Sequence, residues 1–222
     1  MDAHSIISIT SKHSLRLIED CAPAHDATYK GRKVDTFGDY PSKNLGVLGN
    51  ASAVVTDNED IVVKICALSN YGSDYKYHHI YKGNNSRSDK LQAAFLSVKL
   101  PHLERMNAAH RQIANRYLAK IKNPAVILPV VSEGYVPVWP IFGIRCSRRD
   151  ELEKHLAGQG IMTNKHYPIP MHLQECFRDL GFSEGDFPIA EEISHTELSL
   201  PMFYGMMEEE IQAVIRAVND FA

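Results

Sequence analysis

Apolar side chains recur at near-helical spacing between residues 91 and 121, at Leu91, Phe95, Val98, Leu103, Met106, Ile113, Tyr117 and Ile121. This predicts a long helical region, broken or kinked at Pro101, where the ring removes a backbone donor. A stripe of this kind is usually core, and part of it could serve a subunit interface. Ahead of it, Ile6, Ile7 and Ile9 predict a short amphipathic helix over 1–13 that runs into a strand at Leu15–Ile18. Ala53–Thr56 reads as a buried strand, and the acids of 57–60 open a helix reaching Asn70, where they complement the helix dipole. Beyond a Pro/Val-rich crossover at 123–138, the pattern gives a strand over 136–146, a helix over 149–159, a loop through residues 166–172 and a final helix over 208–221. The order predicts an α/β part over 1–121 with a mostly parallel sheet, followed by a smaller α+β domain over 122–222.

Bulk properties narrow the function classes. With 24 basic and 27 acidic residues among 222, the net charge is -3, so no global field advertises a nucleic-acid or membrane partner. No apolar run approaches the roughly 20 residues needed to span a bilayer, and the first residues lack a signal-peptide pattern. Cys21, Cys66, Cys146 and Cys176 lie far apart without any C-x-x-C pair, which argues against zinc or a disulfide framework and fits a reducing cytoplasm.

Candidate chemistry gathers in a few places. Lys43 sits in the Pro- and Gly-bounded run Tyr40–Gly46; most lysines are solvated surface charges, but one held in a turn can form Schiff bases. Asp20 falls at the carboxyl end of the first strand, where parallel sheets collect ligands, although Asp at such a place also caps turns. His25 reads as a hydrogen-bonded structural histidine. The 71–90 loop holds Tyr75, Tyr77, His78 and His79, a set that would suit nucleic acid only beside a basic groove, which the chain does not advertise. His166 and His172, six apart and stiffened by two prolines, lack a third ligand at suitable spacing, so no metal site is assigned.

Read as one block, IEDCAPAHDATYKGRKVDTFGDYPSKNLGVLGNASAVVT resembles the segment around the cofactor lysine of sugar aminotransferases of the DegT/DnrJ/EryC1/StrS family, which use pyridoxal 5'-phosphate (PLP). The resemblance continues through LSNYGSDYKYHHIYKGNNSRSDKLQAAFLSVKL, VPVWPIFGIR, HYPIPMHLQ and LSLPMF, several motifs in order over nearly the whole chain. It implies the C-terminal part of a fold-type I PLP aminotransferase that transfers an amino group from glutamate to a keto-deoxysugar nucleotide. The subgroup it looks closest to makes 3-amino-3,6-dideoxyhexoses on dTDP, sugars of polysaccharide and O-antigen synthesis. By the same resemblance Lys43 carries PLP and moves the proton of the transfer, and Asp20 keeps the ring nitrogen protonated. Asn85 reaches the cofactor phosphate of a partner subunit with Arg87 close by, so the site requires a homodimer. The loop with His166, Tyr167 and His172 shapes the sugar-nucleotide pocket, while Ser199–Pro201 is packing.

The chain also departs from the family pattern. Asp26 and Asp35 stand where relatives have Gly, often a residue of positive φ, Pro23 stands for Gln and Pro140 for a common His. A short strand that relatives carry ahead of the lysine motif is missing between Asp39 and Tyr40, and so is the long segment preceding the position of Met1. These departures leave a second expectation from another class: a catalytically inactive remnant, or a partner of an intact aminotransferase subunit.

Overall fold

A computed structural model describes residues 3–34, 45–46 and 53–222. Lys43, Asp35 and the junction between Asp39 and Tyr40 lie outside the described residues. The chain clusters into two compact units, Met1–Arg105 with Glu133–Val138, and Met106–Ser132 with Trp139–Ala222.

The first unit opens with helix α1 (Ala3–Lys12), as the isoleucine spacing predicts. Strands β1 (Thr28–Tyr29) and β2 (Arg32–Lys33) form a tight hairpin whose turn residues Lys30 and Gly31 both have positive φ, 51° and 78°. That twist matches the strands it joins. Strand β5 (Tyr135–Val136) pairs antiparallel with β1 on its other side, and the rings of Tyr29 and Tyr135 lie 4.5 Å apart. Asp26 adopts φ 70°, the left-handed conformation expected where the family resemblance implies glycine, and pairs with Lys33. Helix α2 (Glu59–Ser69) is capped by Asn58, whose Oδ1 accepts from Ile61 N at 3.2 Å. A hairpin of β3 (Ser73–Tyr75) and β4 (His78–His79) follows, then α3 (Lys90–Lys99).

The second unit holds an antiparallel sheet of β6 (Phe142–Arg145) and β7 (Glu197–Leu200), flanked by α4 (Leu103–Lys120, from residue 106), α5 (Arg149–Gly158), α6 (Pro188–Thr196) and α7 (Glu208–Asn219). Its core is one cluster in which Tyr117, Phe142, Ile144, Leu152, Leu156, Leu198 and Val218 are fully buried. Burying side chains of this size contributes roughly 1.5–3 kcal/mol each. Burial also pushes the Tyr117 phenol well above its ordinary range, so it remains a donor and bonds Pro201 O at 2.8 Å. Buried Asn123 closes the end of α7, donating to Val218 O at 2.8 Å and Phe221 O at 2.7 Å.

Helices are placed much as the pattern predicts except for α6, which the sequence reading did not give, and the break at Pro101 is present as a 3-10 turn (Leu100–His102) that separates α3 from α4. Strands differ. Residues 15–20 and 53–56 carry no ladder, and Ile18 and Val55 are 76% and 53% exposed; a strand needs a hydrogen-bonded neighbour, and none of the described residues supplies one. The single strand expected over 136–146 is two short ones, because Pro137 and Pro140 lack N–H donors and Trp139 takes φ 51°. Every ladder among the described residues is antiparallel.

Candidate functional site

In the first unit the sequence 70–88 is folded back on the C-terminal end of α2 by backbone bonds. Tyr71 N donates to Asn84 O at 3.0 Å, Gly72 N to Ala67 O at 2.7 Å, Asn84 N to Leu68 O at 2.9 Å and Ser86 N to Ser69 O at 2.9 Å. Two glycines allow the approach: a Cβ on Gly72 would lie 1.8 Å from Tyr81 O, and one on Gly83 would lie 2.3 Å from Gly72 N and 2.4 Å from Leu68 O. The fold-back presents Asn85 and Arg87 together and exposed. Arg87 Nε donates to Asn85 Oδ1 at 3.2 Å and its Nη1 to Asn70 Oδ1 at 2.8 Å, with the guanidinium 5.5 Å from the Tyr71 ring centre. Because Arg87 engages the Asn85 carbonyl oxygen, the Asn85 amide keeps its two N–H donors for another acceptor. Arg87 also lines a cleft of about 750 Å³ with Val62, Cys66, Lys82, Gly83 and Ser86.

Asp20 ends the extended segment 15–20, exposed, with Oδ1 accepting from Ala22 N at 3.0 Å. That bond is the local turn cap anticipated as one reading of this residue. Leu45 and Gly46, the end of the lysine run, are held: Leu45 is buried, and Gly46 O accepts from Lys99 Nζ at 2.6 Å. These residues suit PLP chemically, since Asn85 offers donors to phosphate oxygens and Asp20 a carboxylate to a protonated ring nitrogen.

In the second unit His166 and His172 keep separate company. His166 Nδ1 lies 2.8 Å from Ser199 Oγ, and the His166 backbone N donates to Glu197 Oε2 at 2.6 Å. Ser199 Oγ donates in turn to Glu197 Oε1 at 2.6 Å. Tyr167 is exposed beside it, its ring 5.5 Å from that of His166. His166 lines a small cavity of about 190 Å³ with Pro140, Ile141, Met162, Asn164 and Met202. His172 instead directs Nε2 at Glu191 Oε1, 2.8 Å away, and lays its ring 4.7 Å from that of Phe187. Among the described residues no group of three or more His, Cys, Asp or Glu could hold a metal ion, and no helix is long and apolar enough to cross a membrane.

Glu191 accepts from Gly185 N at 3.0 and 2.9 Å and from Phe187 N at 3.1 Å. The Gly185 bond foremost, then Phe187 and His172, holds its carboxyl below the usual carboxylate range. A folded-state value below the unfolded one contributes stability that is present above about pH 4.3 and is lost as pH falls through the folded value. The Glu191 contribution should therefore be present down to about pH 5 and fade below about pH 4, so that thermal melts of Glu191→Gln show a shallower acid drop than wild type. Superimposable acid profiles for the two proteins would remove Glu191 from this role.

Sequence reasoning passed over Glu197 and Asn164 and read Ser199 as packing. The available signal was Glu-Leu-Ser-Leu at 197–200, whose strict alternation puts Glu197 and Ser199 on one face of a strand.

The profile of the DegT/DnrJ/EryC1/StrS aminotransferase family matches residues 1–219. A dTDP-3-amino-3,4,6-trideoxy-alpha-D-glucose transaminase of Streptomyces venezuelae is 39% identical over 228 residues, covering 100% of this chain and 60% of its own length. A dTDP-3-amino-3,6-dideoxy-alpha-D-galactopyranose transaminase of Aneurinibacillus thermoaerophilus is 42% identical over 226 residues, covering 99% and 62%. Among solved structures, S. venezuelae DesV in complex with a ketimine intermediate superposes with a TM-score of 0.95 at 37% identity, covering 99% of this chain and 61% of that one. The chain thus spans about 60% of the length of these relatives.

Proposed function

We propose, from the premise that the chain belongs to the DegT/DnrJ/EryC1/StrS aminotransferase family, that it takes part in PLP-dependent amino transfer from glutamate to a keto-deoxysugar nucleotide. The observation that carries this reading is the match over residues 1–219 together with the TM-score of 0.95 to DesV. The finer substrate, a dTDP-3-oxo-6-deoxyhexose used for polysaccharide or O-antigen sugars, rests on the names of the two dTDP-sugar transaminases.

In this reading Lys43 would hold the cofactor through its Nζ and, as a free amine, would take up and return the proton of the transfer. Asp20 orients its carboxylate through the Ala22 N–H and keeps a proton on the ring nitrogen. Asn85, fixed by Arg87, offers its amide N–H groups to phosphate oxygens across a homodimer. Arg87, His166, Tyr167 and His172 serve the sugar nucleotide. Bound PLP supplies the electron sink for the carbanion of transamination.

The test is to add PLP, reduce with borohydride and map the modified peptide. A single adduct at Lys43 supports the reading; labelling scattered over surface lysines overturns it. A second reading is favoured by the exposed apolar residues of the unladdered segments, Leu15 and Ile18 with Val55. There the chain is inactive alone and associates with an intact aminotransferase subunit, and the same experiment then yields no Lys43 adduct until that subunit is added.

A further inference from the structure

Strand β7 places Glu197 and Ser199 on one face, and both are nearly closed to solvent, at 8% and 5% exposure. Asn164 bridges Ser199 on the far side of β7, through Ser199 N to Asn164 O at 2.7 Å and Asn164 N to Ser199 O at 3.2 Å. Two residues further on, His166 comes opposite Glu197 and donates its backbone N–H to that carboxylate. One carboxylate therefore fixes the backbone of His166 directly and its ring through Ser199.

The ring's proton follows from counting donors. Ser199 has one hydroxyl hydrogen and gives it to Glu197 Oε1, so toward His166 its oxygen can only accept, and Nδ1 must carry the hydrogen. Independently, Asn164 Nδ2, which can only donate, lies 3.3 Å from His166 Nε2. Both contacts demand the same neutral form, with hydrogen on Nδ1 and a lone pair on Nε2. The wall of the 190 Å³ cavity then presents a neutral acceptor beside an amide donor among apolar side chains. A hydroxyl, which donates and accepts at once, satisfies both by replacing the long Asn164 bond; a phosphate oxygen, which only accepts, cannot satisfy Nε2.

We infer that Glu197 and Ser199 are positioning residues that lock His166 as the Nδ1–H tautomer, so that its Nε2 reads a sugar hydroxyl rather than a phosphate. The second half rests on the reading of His166 as substrate-binding; the first half does not.

The test is 15N NMR of the histidine-labelled full chain at pH 8, with folding of each variant checked by circular dichroism. Wild type should show hydrogen on Nδ1 of His166. Ser199→Ala should raise the share of the Nε2–H form by about tenfold in the ratio of tautomers, as expected for one lost hydrogen bond, while the Asn164 contact still favours hydrogen on Nδ1. Ser199→Thr, which keeps the hydroxyl, should restore the wild-type ratio. An Nε2–H ring in wild type, or an unchanged ring in Ser199→Ala, overturns the lock whether or not Lys43 carries PLP. Adding dTDP-glucose should shift the His166 Nε2 signal while inorganic pyrophosphate leaves it in place. A response to pyrophosphate, or none to dTDP-glucose, overturns hydroxyl recognition.

Discussion

Lys43→Ala is expected to abolish the borohydride-trapped cofactor adduct and with it amino transfer. A lysine in this role acts twice, as the amine that holds the cofactor and as the base and acid that moves the proton, and no methyl group can do either. The proton transfer alone contributes about 10²–10⁴-fold to such reactions. Lys43→Arg separates charge from nucleophilicity: a guanidinium stays protonated at any working pH, so it keeps the positive charge yet should also fail to form the adduct. Mass mapping of both reduced proteins decides the matter, since an adduct persisting in Lys43→Ala would locate the reacting amine elsewhere.

The second large effect concerns Gly83. Its added Cβ in Gly83→Ala would meet the backbone of Gly72 and Leu68 within 2.4 Å. Backbone on both sides cannot swing away as a side-chain tip would, so the fold-back must open. A cost of about 3 kcal/mol is expected, at the upper end for overpacking. The damage should be local: faster hydrogen exchange at the Asn84 and Ser86 amides, whose acceptors are Leu68 O and Ser69 O, and loss of the Arg87 contact that orients Asn85. Exchange rates equal to those of wild type at these two amides would show that the turn tolerates the methyl group.

What could be read from the chain beforehand divides along physical lines. The helices over 90–120 were legible because a helix makes its hydrogen bonds within itself, so the spacing of Leu91, Phe95 and Val98 and the break at Pro101 suffice. The positive φ of Asp26 agrees with the glycine that the family resemblance implies at that position. Leu15–Ile18 and Ala53–Thr56 were misread as strands because an apolar run does not reveal whether a neighbour will pair with it. The environment of His166 was out of reach for a related reason. Its partners come from residues 31 and 33 positions away, brought close by a bridge that no local pattern announces. Family motifs pointed to His166 but treated Ser199 as packing, and only the geometry joins the two.

The two polar residues on β7 also guard its alignment. With Phe142 opposite Leu200 and Ile144 opposite Leu198, the apolar side chains of the ladder share one face and point into the core. A slip of β7 by a single residue exchanges its faces, sending the Glu197 carboxylate and the Ser199 hydroxyl in among Phe142, Ile144 and Tyr117 and turning two leucines outward. An unpartnered carboxylate there would cost several kcal/mol, far more than the slip could regain elsewhere. The pair that orients His166 thus proofreads the strand that carries it, so a variant with leucine at both positions should keep its β6–β7 pairing while admitting misaligned forms.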